Sequence, residues 1–355
     1  MPSSNLRNLV VKLDSRLGGF PDYILAEEDC EFMAVPDNLR DCCCFIYVGE
    51  DKERKLKGTG FFISEVLHQN RNNSVTLSYV YLVTAKHIIE SIKQHYPNSQ
   101  TGIRMNSTNG ETIDIEIPLD AWLYHPNDST VDAVILPWQS TEGLDFKAVP
   151  TYTAVNDEVI KKNGIGIGDE VCITGLFYKH YGQKRNLPIL RTGNIAMMPD
   201  YPIDAGDNGI MTAYLIELRS IGGLSGSPVY VHLQWADPKR KSTGHVLYWL
   251  GLIHGHWTVN KQSIDELDVS NEQQLNTGIG IVVPAFKILE ILKREDIEKA
   301  KKLAEEMQWK KKTPITDMNL SEGGITRKEF HAILDKASQP INHKDKHDKK
   351  SEGNL

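Results

Sequence analysis

Three segments of this chain pair a reactive side-chain type with a setting that would let it react. His87 closes the run Leu82-Val83-Thr84-Ala85-Lys86-His87-Ile88, where an apolar strand would deliver the imidazole onto a short helical turn. Asp132 stands at the entry of Val131-Asp132-Ala133-Val134-Ile135-Leu136. Ser225 lies in Gly222-Gly223-Leu224-Ser225-Gly226-Ser227-Pro228-Val229, a glycine-rich turn just before another strand. A serine hydroxyl is a weak nucleophile until a neighbouring imidazole accepts its proton. The imidazole in turn needs a carboxylate to hold its tautomer and stabilise the imidazolium. Glycines beside the serine allow tight turns and close approach of a substrate. The backbone N–H groups of Gly223 and Ser225 would face the developing oxyanion, where losing one donor costs on the order of 10²–10³ in rate. Each segment alone is commonplace, since a histidine after a strand is usually structural and an aspartate at a strand entrance usually belongs to a turn. Asp128, in His125-Pro126-Asn127-Asp128, competes for the role of the acid. Asp132 is preferred because the apolar run begins directly after it.

The elements that must position these residues are short and β-rich. From about Arg40 the chain reads CCCFIYV, GTGFFIS, TLSYVYLVTA, TIDIEIP and VDAVILP, broken by turn-formers such as Asn109-Gly110. A second series follows: AVPTYTAV, DEVCITGLFY, LPILRTGNIAMM, TAYLIELR, SPVYVHL, VLYWLGLIHGHW and TGIGIVVP. Two blocks of short strands indicate an all-β sandwich or barrel architecture and exclude an alternating α/β sheet. Phe61, Phe62, Tyr79, Tyr81 and Trp249 fall within these strands and are expected in or over the barrel cores.

Helices are expected at the two ends. Leu6, Leu9, Val10, Leu13 and Leu17 have helical spacing, and Gly18-Gly19 would stop that helix. Pro284 opens a second helix with Phe286, Leu289, Ile291, Leu292, Ile297 and Leu303 as its apolar positions. A short third helix is expected over Thr326 to Lys336, opened by the capping box Thr326-x-x-Glu329, and the charged stretch from Pro340 is expected to be disordered. The resulting division is a helical extension over 1–36, a first barrel over 37–145, a second barrel with its terminal helix over 146–308, and a polar tail over 309–355.

Composition narrows the functional classes. The 355 residues are 40% apolar and 25% charged with a formal net charge of −7, which calls for neither nucleic acid nor an anionic membrane as partner. No signal peptide is recognised at the start, and no run reaches the roughly 20 apolar residues of a membrane helix. The five cysteines include three in a row, Cys42, Cys43 and Cys44, whose alternating directions on a strand suit no disulfide framework. Reduced thiols and a cytoplasmic setting are expected. No Cys/His spacing reads as a metal site, and His68, His95, His125, His232, His245 and His256 are taken as surface or core residues. No cofactor is implied.

Taken together, over about Arg40 to Leu303, these segments resemble the trypsin/chymotrypsin-like serine peptidase family. That family's histidine segment reads TA-x-H and its serine segment G-x-S-G-G/S-P. Gly168-Asp169-Glu170-Val171 with Thr174-Gly175, Arg191-Thr192-Gly193, and Thr277 to Pro284 resemble the bacterial, protease-Do-like and glutamyl-endopeptidase-like branch. The resemblance implies an all-β fold of two six-stranded-type antiparallel barrels with the active site in the cleft between them. It further implies a serine endopeptidase with His87 as general base, Asp132 orienting it, Ser225 as nucleophile, and Gly223 with Ser225 as oxyanion hole. Leu224 replaces the Asp that trypsin-type zymogens carry before the nucleophile, so activation by a new N-terminus is not expected. No PDZ-like segment is recognised after the peptidase region. By family position Arg219, His254 and Gly255 would line the substrate pocket, giving a preference for an acidic residue before the scissile bond. The partners implied are a protein or peptide substrate, with regulation through the N-terminal helix or the C-terminal tail. The competing reading is a catalytically silent barrel pair used as a scaffold. An esterase is disfavoured because no Gly-x-Ser-x-Gly elbow in an α/β setting is present.

Overall fold

A computed structural model describes residues 37–49, 54–69, 75–139, 143–205, 209–218, 223–237, 242–259 and 275–312. The expected helices near the start and over 326–336, and the charged tail, lie outside the described residues.

The first half is a sheet built from β1 (Cys43–Val48), β2 (Lys55–Gln69), β3 (Val75–Thr84), β4 (Thr101–Asn106), β5 (Thr112–Ile117), β6 (Leu123–Tyr124), β7 (Val134–Trp138) and β8 (Val149–Pro150). Helix α1 (Lys86–His95) follows β3 directly. The strands run in the order β5-β4-β1-β2-β3-β7-β6, with β8 added to β2. β1 is buried along its whole length because it lies in the middle of this order, so its sequence is an unbroken apolar run. β5 alternates Ile113, Ile115 and Ile117 with Asp114 and Glu116, the pattern of a half-exposed edge strand carrying charge outward.

The second half follows α2 (Asp157–Asn163). Its strands are β9 (Glu170–Gly175), β10 (Ile189–Met197), a small β11–β12 pair (Ile203–Asp204, Ile210–Met211), β13 (Tyr214–Glu217), β14 (Pro228–Asp237), β15 (Ser242–Val259) and β16 (Leu275–Pro284). Six of these close into a barrel in the order β10-β13-β16-β15-β14-β9. The all-β class expected from the sequence is therefore present, with one closed six-stranded barrel. The first half, however, is a curled sheet whose hydrogen bonding stays open, bounded by the charged strand β5 and the two-residue strand β6. The run Ala148–Val155 also departs from expectation. Only Val149–Pro150 forms a strand, pairing in parallel with Ile63–Ser64 of the first sheet, and Ala154 adds a single bridge to Trp249. Pro150 offers no N–H for a longer ladder, and the chain turns there, with the Thr153 hydroxyl donating to the Pro150 carbonyl at 2.7 Å.

The terminal helix expected after Pro284 is two helices, α3 (Ala285–Leu292) and α4 (Glu295–Lys312). They part at Arg294, whose guanidinium grips Asp296 (2.7 and 3.0 Å) and the Tyr124 carbonyl (2.9 Å). Ile288, Ile291, Leu292 and Ile297 join the core of the first sheet, so α3 and the start of α4 cover the half made first. A separate core fills the closed barrel, built from inward residues such as Val171, Ile173, Val229, Val231 and Val282. Between the halves Phe61 meets Trp249 edge-to-face at 5.7 Å, a geometry worth about 0.5–1.5 kcal/mol beyond its buried area. Among the described residues no helix is long and apolar enough to cross a membrane.

Candidate active site

Helix α1 starts without a side-chain cap on its own N-terminal residue, Ala85. The first-turn N–H groups of a helix have no partner within it, and Asp132 supplies one from across the sheet. Its Oδ1 accepts the backbone N–H of His87 at 2.8 Å, and its Oδ2 faces the Nδ1 of His87 at 2.7 Å. The helix start and the imidazole are thus fixed by one carboxylate. Asp132 itself sits just before β7, with none of its side chain exposed, whereas about a third of the His87 side chain is open to solvent. An accessible ring held by a buried acid is the arrangement a general base requires.

A second histidine shares that acid. His254 Nδ1 lies 2.5 Å from Asp132 Oδ2, and its ring stands edge-to-face to that of His87, 5.4 Å between centroids. The reason is a β-bulge. Ile253 pairs with Val282 and Gly255 with Ile281, so His254 is the extra residue and its side chain is re-aimed towards the first half. Burial pushes the Asp132 carboxyl up, but the hydrogen bonds from His254 and His87 more than offset that and hold it below the usual carboxylate range. Because an ionised carboxylate only accepts, each Nδ1 carries the proton, leaving Nε2 of His87 as the basic nitrogen. Asp128 plays a local part instead. Its Oδ1 accepts from the Thr130 N–H (3.0 Å) and hydroxyl (2.6 Å), and Lys287 lies 3.4 Å from its Oδ2.

The serine turn is gripped from both halves. The Gly226 N–H donates to the Ile253 carbonyl (2.8 Å) and the Ile253 N–H to the Ser227 carbonyl (2.9 Å), next to His254. From the first sheet the Thr59 N–H donates to the Ser225 carbonyl at 3.0 Å. The Thr59 hydroxyl donates to the Gly223 carbonyl (3.1 Å) and accepts from the Leu176 N–H (2.8 Å). The Thr59 carbonyl is bound in turn by the hydroxyl of Thr84, three residues before His87 (2.8 Å). Gly226 has φ of +81°, and a Cβ there would stand 2.2 Å from the Thr59 carbonyl oxygen and 3.2 Å from the Ala85 nitrogen. Only glycine lets the turn press so closely on the His87 segment. Gly223 adopts φ of +106°. Neither its N–H nor that of Ser225 donates to the backbone of another described residue. Among the described residues the His87 ring bonds Asp132 and not Ser225. Catalytic hydrogen bonds commonly tighten only when substrate arrives.

The residues expected to line the substrate pocket fare differently. Arg219 lies outside the described residues. Gly255 borders open space, with nothing within 4 Å of a would-be Cβ. His254 has its Nδ1 committed to Asp132, and only 8% of the residue is exposed. Sequence reading missed both the link from His254 to Asp132 and the part of Thr59. The only signal for the latter was its place in Gly58-Thr59-Gly60.

No family model matches the chain, and no curated protein matches it. Among solved structures it is similar to Deg5, at 12% identity with a TM-score of 0.40, covering 71% of this chain and 87% of that one. It is also similar to the HtrA-type protease AlgW with decapeptide, at 14% identity with a TM-score of 0.36, covering 74% of this chain and 66% of that one. At those values neither likeness adds to what strand order and site geometry already say.

Proposed function

We propose that this chain is a serine endopeptidase that cleaves polypeptides through an acyl-enzyme on Ser225. The observation that carries this reading is the His87–Asp132 pair, a buried carboxylate holding a partly open imidazole by Nδ1 at 2.7 Å, beside a serine turn held by Thr59 of β2 and Ile253 of β15. In the reaction, Nε2 of His87 takes the Ser225 Oγ proton as Oγ bonds to the carbonyl carbon. The N–H groups of Gly223 and Ser225 receive the oxyanion. Collapse breaks the C–N bond, and His87 returns the proton to the leaving amine. Water, deprotonated by the same imidazole, then frees the acyl group and restores Ser225. His254 acts as a positioning residue through Asp132.

A fluorophosphonate probe tests this on wild type and Ser225→Ala. The expected result is covalent labelling that Ser225→Ala abolishes, together with turnover of a peptide library by wild type. Labelling that survives the substitution removes Ser225 as nucleophile, and a wild type that neither labels nor cleaves favours the scaffold reading.

A further inference from the structure

A second cluster of reactive side chains lies on the far side of the closed barrel from its core. β9 and β14 pair with Val231 opposite Val171 and Tyr230 opposite Cys172, which sets His232 beside Glu170 one step further along. Val171, Ile173, Val229 and Val231 fill the barrel. Alternation therefore turns Glu170, Cys172 and His232 outward together. Outward here does not mean exposed. Cys172 is fully buried and His232 is only 3% exposed, close to where the Cys43 thiol of the first sheet reaches Thr174.

The ligand atoms of Glu170, Cys172 and His232 all lie within 4.8 Å of one another. Among the described residues neither ring nitrogen of His232 has a hydrogen-bond partner, a rare condition for a buried polar group. Its Nδ1 stands 3.5 Å from Glu170 Oε2, too far for a good N–H···O bond. Two atoms bound to one tetrahedral zinc at about 2.0–2.3 Å are separated by about 3.3–3.6 Å. The histidine and glutamate are already at that spacing, and Cys172 needs to close by about 1 Å. A thiol, an imidazole and a carboxylate are the donors of zinc and its soft neighbours, not of magnesium or calcium. The Glu170 side chain is 36% exposed, which gives an ion a way in, and the partly buried His245 ring stands 5.5 Å from that of His232. The other such group, His87 with Asp132 and His254, spends its facing atoms on hydrogen bonds to one another.

We propose that Glu170 Oε2, Cys172 Sγ and His232 Nδ1 bind one zinc ion, with water in the fourth position, clamping β9 to β14. Cys172 binds as thiolate and its proton leaves to solvent. The clamp fastens the strand that begins three residues after Ser225, yet it uses no residue of the proposed triad and does not depend on the peptidase reading.

The test is titration of the full-length chain with cobalt and then zinc, following absorbance and metal content after dialysis. One equivalent of cobalt is expected, with a thiolate-to-cobalt charge-transfer band that zinc removes. Cys172→Ser abolishes the band, and Glu170→Gln, at a partly exposed position that spares the fold, weakens binding on the order of 100-fold. His254→Asn and Ser225→Ala retain both band and affinity. Absence of the thiolate band in wild type overturns the proposal. So does zinc affinity unchanged in Glu170→Gln, provided its thermal unfolding without metal matches wild type.

Discussion

Replacing His254 by Leu removes one of the three hydrogen bonds that Asp132 accepts, the other two coming from His87. Asp132 is wholly buried, so water cannot replace the lost donor. A hydrogen bond to a buried charge is worth about 1.5–3 kcal/mol, and an unfolding entropy of about 2.1 cal/mol/K per residue makes each kcal/mol worth about 1–2 °C in a chain this size. The variant should thus melt roughly 2–6 °C lower at neutral pH. The pH dependence carries a sign as well. The folded carboxyl is held below its ordinary value by its histidine partners, so its contribution is present above the unfolded value near 4 and disappears as pH falls through the folded one. With His254 gone the folded value rises, and acid unfolding should begin at higher pH. If the proposed chemistry holds, kcat should fall by about 10–100-fold with KM little changed, because 1.4 kcal/mol of lost orientation is one decade. His254→Asn, which keeps an N–H donor, should recover part of each effect. Circular-dichroism melts across pH, with kinetics on a peptide substrate, give all three readouts. Equal melting, equal acid midpoints and equal kcat in His254→Leu would refute the shared-acid account.

Two further substitutions probe the frame. Gly226→Ala should cost well over about 1 kcal/mol, since φ of +81° and a Cβ 2.2 Å from the Thr59 carbonyl oxygen leave no relaxed solution; urea unfolding measures it, and a near-neutral result would show that the turn sits further from Thr59. Arg104, 3% exposed, donates to Asn186 Oδ1 (2.6 Å) and to the carbonyls of Gly182 (3.0 Å) and Gln183 (2.9 Å). Arg104→Met should lower stability by about 1–3 kcal/mol and open residues 182–186 to limited proteolysis; an unchanged cleavage pattern would remove Arg104 as the clasp of that loop.

What the sequence made legible was local. The Thr84-Ala85-Lys86-His87 and Leu224-Ser225-Gly226 segments each carry their own strand or turn signal, so the strands flanking them could be read directly. β4 could not, because Thr-Gly-Ile-Arg-Met-Asn buries an arginine where an apolar residue would mark a strand. α2 has an Asn156 cap and a left-handed Gly164 at its end, but seven residues with none buried give no apolar period. His254 was placed by family position, and the bulge that turns its side chain towards Asp132 leaves no mark in the sequence. Glu170 and Cys172 show no spacing to His232 that marks a metal site, since what joins them is strand register across the barrel.

Thr59 has a consequence for how the chain comes into being. Its backbone and hydroxyl bind the Ser225 and Gly223 carbonyls, so the serine turn takes its shape from a strand some 160 residues earlier, while Ile253, still later, holds its other side. On the ribosome the template emerges first, the turn long after it, and Ile253 last. A nascent or truncated chain therefore holds His87 and Asp132 without a shaped nucleophile, and a proteolytic activity on this plan would stay silent during its own synthesis, switched on by docking of the two halves. The same connectivity makes the halves candidates for complementation: separately expressed, each should be inert, and activity after mixing would report their association.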